Sequence, residues 1–187
     1  FQIVAAVLLG LVLTPAFAEY QFQDTKIHRR PSLHRTIQVG LGYQILTIDS
    51  DDLLAIIEQK GNQESWKTVW NYQTGYIASR LVPEGVCYIS RMNRLVMPTL
   101  NSISLLADES KNVKGERLAS REIRYYVTRR PVRELRSYGS EIYNLCRGYV
   151  TYTASEEQQP TGSQVLYNQD SCNRLNVLNL LGIDYCQ

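Results

Sequence analysis

The chain has 187 residues and nearly balanced charge, 20 Lys and Arg against 18 Asp and Glu, for a formal net charge of +2. A balance this close names no partner by itself, and beyond its first residues the sequence holds no transmembrane run, internal repeat or N-x-S/T sequon. The spacings of a zinc site are missing too: the four cysteines form no CxxC, and His28 and His34 lie far from all of them.

Ile3 to Leu13 (IVAAVLLGLVL) is a short apolar run, followed by Thr14-Pro15 and the small-residue site Ala16-Phe17-Ala18. Residues 1–18 therefore read as a secretory signal peptide cleaved after Ala18, with its charged start truncated. The run is too short for a hydrocarbon layer of about 30 Å, which argues for a secreted, extracellular protein with no stable membrane anchor. A released chain of about 170 residues can bury one sizeable core. Residues 19–43 begin EYQFQDTKIHRRPSLHR, polar and irregular, and predict a flexible lead-in.

Residues 44–61 predict a hairpin, since β-branched and apolar residues flank the cluster Asp49-Ser50-Asp51-Asp52. A calcium loop starting at Asp49 would need Gly at its sixth position, where Leu54 stands, so turn chemistry is the better account. TVWNYQTGY and GYIASRLVPEGVCYISRM follow as strands, the latter two joined at VPEG. Ile77 and Leu81 fall on one face, Tyr76, Ala78 and Val82 on the other, which predicts a sheet covered on both sides. Covering helices are read at Pro98 (PTLNSISLLADES, with Leu100, Ile103 and Leu106 at helical spacing) and at PVRELRSYGSEIYNLCRG. The second places Leu135, Tyr138, Ile142 and Leu145 three and four apart and stops at Gly148. REIRYYVT and YVTYT read as further strands, Asp108 to Gly115 as a mobile polar loop, SEEQQPTGS as a break, and CNRLNVLNLLGIDYC as an apolar segment. The layout is α+β.

In an oxidising compartment Cys87, Cys146, Cys172 and Cys186 are most simply two disulfides, with three pairings open. One of them, Cys87–Cys146, would staple the second helix to a sheet strand and stabilise by about 4 kcal/mol in the chain-entropy account. Cys172–Cys186 would then close a small C-terminal loop, for about 3 kcal/mol on the same scale. Lys111 to Arg136 holds nine Lys or Arg against three Glu. A solvated basic face accounts for it; the sharper reading is a surface at Arg129, Arg130 and Arg133 for polyanions such as mucin sialates or sulfated glycans. A secreted protein is not expected to meet nucleic acid.

SWKTVWNYQTGYIASRLVPEGVCYISRMNRLVMPTL (Ser65 to Leu100), EIYNLCRGYVTY (Glu141 to Tyr152) and the tail LLGIDYC resemble the gastrokines, secreted gastric-mucosal proteins built on a BRICHOS domain. The resemblance runs from about Ile45 to Gln187 and places the BRICHOS domain at residues 62–154, with residues 155–187 as a C-terminal segment. It implies a five-stranded antiparallel sheet between two helices and a Cys87–Cys146 disulfide. Two departures stand out. Asn71 occupies a position where BRICHOS domains carry Asp, so a titrating acid is absent there. GNQESWKTVWNY also lacks the cysteine through which one gastrokine subgroup bonds a trefoil factor, leaving only noncovalent association with a trefoil factor or mucin.

No catalytic residue, metal ligand or cofactor site is read from the sequence, and no enzyme is expected: both histidines lie in the lead-in, and no phosphate loop or dinucleotide fingerprint occurs. The resemblance implies a mucosal factor that protects the gastric epithelium and regulates its growth. A second reading is a chaperone-like binder of extended, aggregation-prone peptides, for which Tyr72, Tyr76, Tyr88, Tyr125 and Tyr126 would furnish a face gated by the loop from Asp108. Ordinary sheet packing accounts for the same tyrosines.

Overall fold

The computed structural model describes residues 32–39, 42–61, 65–110, 119–156 and 171–187. The expected signal peptide, most of the lead-in, residues 111–115 of the expected loop and 157–163 of the expected break lie outside the described residues, whereas residues 108–110 of that loop are helical and 155–156 of that break are strand.

Among the described residues ten strands form one sheet: β1 (Leu33–Val39), β2 (Gly42–Asp49), β3 (Leu54–Lys60), β4 (Trp66–Asn71), β5 (Tyr76–Leu81), β6 (Val86–Arg91), β7 (Arg121–Pro131), β8 (Val150–Glu156), β9 (Cys172–Val177) and β10 (Leu181–Cys186). Their spatial order is β1-β2-β3-β4-β5-β6-β8-β7-β10-β9. Helix α1 (Leu100–Ser110) joins β6 to β7, and a 3-10 turn (Leu135–Tyr138) followed by α2 (Ser140–Cys146) joins β7 to β8.

The class is α+β, but the sheet has ten strands rather than the five that the resemblance implies. Nor is it antiparallel throughout, since β6 pairs with β8, and β7 with β10, in parallel. The additional strands come from the flanks. β1, β2 and β3 extend the sheet beyond β4, and the tail folds into a β9–β10 hairpin that docks on β7. Each flank uses a bare strand edge that would otherwise leave backbone groups unpaired.

Local chemistry explains the turns. Asp49 Oδ1 accepts the N–H groups of Asp51 and Asp52, each at 3.0 Å, so the acidic cluster is a turn. Asn71 Oδ1 accepts the Thr74 N–H at 2.9 Å, and Gly75 with φ 74 completes the β4–β5 turn at little steric cost. The helical spacing through Leu135 and Leu145 does not yield one helix: Gly139, at φ 100, breaks it into the 3-10 turn and α2.

Strands β4 to β6 are buried on both faces, as their mixed alternation predicts. The inner face carries the larger core, with Trp66, Trp70, Ile77, Leu81, Tyr88, Ile183 and Tyr185, closed by Ile103 and Ala107 of α1. The outer face carries the smaller core, in which Ile142, Leu145 and Cys146 of α2 pack on Val69, Ala78, Cys87 and Ile89. Val82, beyond the end of β5, is exposed.

The sheet curls until its far strands meet. Gln44 of β2 is fully buried; its Nε2 donates to Gln59 Oε1 (2.8 Å) and to the Asn176 carbonyl (2.6 Å), and its Oε1 accepts the Leu178 N–H (2.7 Å). Leu178 and Asn179 both take positive φ in the three-residue β9–β10 connection, where the Leu180 N–H donates to the Val177 carbonyl to close a tight turn. Replacing Gln44 by Ala strands the Leu178 N–H inside the protein. Gln44→Ala is expected to lower stability by about 1–3 kcal/mol, read as a fall in the urea midpoint without a change in slope.

Candidate functional site

The structure distributes the five candidate tyrosines over both faces of the sheet. Tyr88 and Tyr125 lie on the inner face, 0% and 1% exposed, with Tyr185 between them. The Tyr185 ring stacks on Tyr88 at 4.6 Å and on Tyr125 at 5.8 Å. Every hydroxyl in the stack is engaged: Tyr88 accepts from Asn173 Nδ2 (3.0 Å), Tyr185 meets Ser79 Oγ (3.0 Å), and Tyr125 donates to the Arg91 carbonyl (2.8 Å). Burial pushes the Tyr185 hydroxyl up to about 12, and raises that of Tyr125 as well. Tyr72 packs at the rim of the same core; its hydroxyl donates to the Pro98 carbonyl at 2.8 Å, and burial raises it too.

Tyr76 belongs to the outer face, edge-to-face with Tyr138 at 5.1 Å and beneath the Arg91 guanidinium at 4.8 Å. Tyr126, next to inward-facing Tyr125, alternates to the outer face of β7 and is half-buried. The five therefore do not form one surface. Sequence reasoning missed Tyr185, although Leu181, Ile183 and Tyr185 in the tail alternate as an inward-facing strand should.

Both disulfides are present. Cys87–Cys146 (Cα–Cα 5.5 Å) ties β6 to the last turn of α2 across the smaller core, and Cys172–Cys186 (Cα–Cα 4.1 Å) joins directly opposed residues of the β9–β10 hairpin. Asn71 is buried, with its amide oxygen spent on the β4–β5 turn. Of the basic candidates, Arg130 and Arg133 are exposed, and the Arg129 side chain lies outside the described residues. His34 sits on β1 rather than in an irregular lead-in, its ring nitrogens against Ser32 Oγ (3.0 Å) and Thr47 Oγ1 (3.1 Å). Among the described residues no group of three or more His, Cys, Asp or Glu is placed to hold a metal ion.

One charged group was not singled out by the sequence. Asp184, on the outer face of β10, is buried between Arg174 of β9 (3.6 Å) and Arg124 of β7 (4.0 Å), both about half exposed. Arg174 also pairs with Glu122 of β7. Burial raises the Asp184 carboxyl above its ordinary range; Arg174 and Arg124 lower it, Glu122 raises it further, and burial wins.

Two helices covering opposite faces of a sheet, with a disulfide from a central strand to the shorter helix, define the class. The family described as BRICHOS domain matches residues 62–153. Human Gastrokine-1 (Homo sapiens) is 29% identical over 189 residues, covering 100% of this chain and 96% of its own length. Gastrokine-3 of Mus musculus is 26% identical over 98% of this chain and 90% of its own length, and Gastrokine-2 of Rattus norvegicus 27% identical over 76% and 77%. No solved structure matches. Residues 62–153 thus carry the likeness to a BRICHOS domain, and the chain is similar to the gastrokines over its whole length.

The Asp184 carboxyl makes stability depend on pH with a definite sign. An acid whose folded pKa is raised contributes stability that is full below its unfolded pKa, about 3.9, and is lost as pH rises through the folded value. Asp184→Asn should remove that loss, so the variant gains on the parent as pH rises above about 4, in paired urea titrations run over the mildly acidic to neutral window. Parallel stability curves across this window would contradict the assignment.

Proposed function

We propose that this chain is a secreted, gastrokine-like factor of the gastric mucosa that protects the epithelium and regulates its growth. The observation that carries the reading is the likeness to Gastrokine-1 over the whole chain, 100% of it and 96% of the human relative. Two disulfides fit an oxidising, extracellular setting. No helix among the described residues is long and apolar enough to cross a membrane. Arg130 and Arg133 give an exposed basic surface to which a mucin glycan would be drawn noncovalently. Applied in oxidised form to gastric epithelial monolayers, the protein is expected to slow proliferation and to speed recovery of barrier resistance after injury. Folded protein that changes neither would remove the growth-regulating reading.

A second reading, binding of extended aggregation-prone peptides, is favoured by one observation. Among the described residues β1 pairs only with β2, so its other edge is the end of the described sheet and offers backbone groups to an added strand. The stacked tyrosines are a weaker candidate for that role, because Tyr88, Tyr125 and Tyr185 are covered in the folded chain. Substoichiometric oxidised protein should delay fibril formation by an unrelated amyloid peptide. Unchanged lag times in a sample with both disulfides closed would count against it.

A further inference from the structure

β6 and β8 run side by side in parallel from Val86 opposite Val150 to Ser90 opposite Ala154. Past that pair they separate. Arg91 stays with Tyr76 of β5, while Ser155 and Glu156 stay with Tyr126 and Tyr125 of β7. The parting of these two carboxyl ends leaves a crevice between them. Here it is a cavity of about 430 Å³, within the range that holds small ligands.

Its lining is chemically specific. Tyr76 and Tyr138 form an aromatic wall, set edge-to-face at 84°. Arg91 lies over the Tyr76 ring and, among the described residues, its guanidinium is in no ion pair. Glu156 stands on the β8 side, each carboxylate oxygen accepting from Asn93 Nδ2 at 2.9 Å and keeping further lone pairs. Ser155 and Thr153 add hydroxyls.

This combination selects a ligand class. A purely apolar ligand would strip water from Arg91 and Glu156 and return nothing. A phosphate would gain Arg91 but meet the like charge of Glu156. A polyhydroxylated ring satisfies both: its C–H face lies on tyrosine, and its hydroxyls donate to the carboxylate and accept from the guanidinium fork through charge-assisted hydrogen bonds. We propose that the crevice at the carboxyl ends of β6 and β8 binds a neutral pyranose unit of a glycan, with Tyr76 and Tyr138 as the stacking wall and Arg91 and Glu156 as the hydroxyl clamp. The site is separate from the Arg130 and Arg133 surface and does not depend on the function proposed above.

The test titrates the full, oxidised chain with a panel of methyl galactoside, N-acetylglucosamine, N-acetylgalactosamine and N-acetylneuraminic acid, followed by ligand-observed NMR and calorimetry. Saturable millimolar binding of at least one neutral sugar is expected, weakened roughly tenfold in Arg91→Ala and in Glu156→Ala. Both positions are exposed, so the variants should fold, and unchanged thermal melting confirms it. Arg136→Ala is the control, because Arg136 makes a similar stack on Tyr143 at 4.5 Å outside the cavity and its loss should leave binding intact. Binding by none of the neutral sugars, binding of the acidic sugar alone, or binding indifferent to Arg91 and Glu156 would each overturn the proposal.

Discussion

The buried side chain of Gln44 holds this fold in its closed form. A curled sheet whose first and last hairpins approach must either fill the gap between them with apolar groups or satisfy every polar atom that it buries. Gln44 does the second: one amide hydrogen and its oxygen are spent across the closure on Asn176 and Leu178, and the other hydrogen on Gln59 of the neighbouring strand. Once the β9–β10 turn is fastened there, β10 is committed to β7 and Tyr185 to its place between Tyr88 and Tyr125. The inner core is therefore completed by the tail of the chain. The coupling is steep, because a buried amide that loses one partner leaves another group unsatisfied.

The two faces consequently differ in kind. On the inner face the aromatic rings are covered and their hydroxyls are spent on Ser79, Asn173 and the Arg91 backbone. The outer face is tied down by a short helix and one disulfide, and beyond them it stays polar, with the Arg174, Glu122, Arg124 and Asp184 cluster and the crevice beside Tyr76. Chemistry that needs contact with solvent or a partner is concentrated on that outer face and at the β1 edge.

Much of the central fold was legible in the sequence because its signals are local. Asp49 announces a turn by its own side chain, Gly75 by its backbone freedom, and Ile77 with Ala78 a strand buried on both faces. The adjacent pair Tyr125 and Tyr126 was likewise bound to point opposite ways, which already argues against one tyrosine face. What stayed hidden is non-local. His34, Arg35 and Thr36 mask β1, whose strand character comes from pairing with β2. Nothing near Leu181 to Cys186 says that this segment will lie parallel to Arg121 to Tyr126. Three-and-four spacing ran unbroken through Gly139, where backbone conformation overrides it. Asp184 and the crevice at Arg91 exist only once distant strands are neighbours.

The place of β10 has a consequence for how the molecule comes into being. Among the described residues it is the last strand in sequence, yet it lies inside the sheet, between β7 and β9, and β9 takes its strand pairing from β10. A nascent chain emerging from N- to C-terminus can therefore lay down β1 to β6 in order, but not the rest of the sheet. Until β10 arrives, β7 presents a bare edge, Gln44 has no hairpin to grip, and Tyr88 and Tyr125 lack the ring that separates them. Completion of the inner core must await β10, and until then that part of the chain keeps apolar surface and a strand edge uncovered.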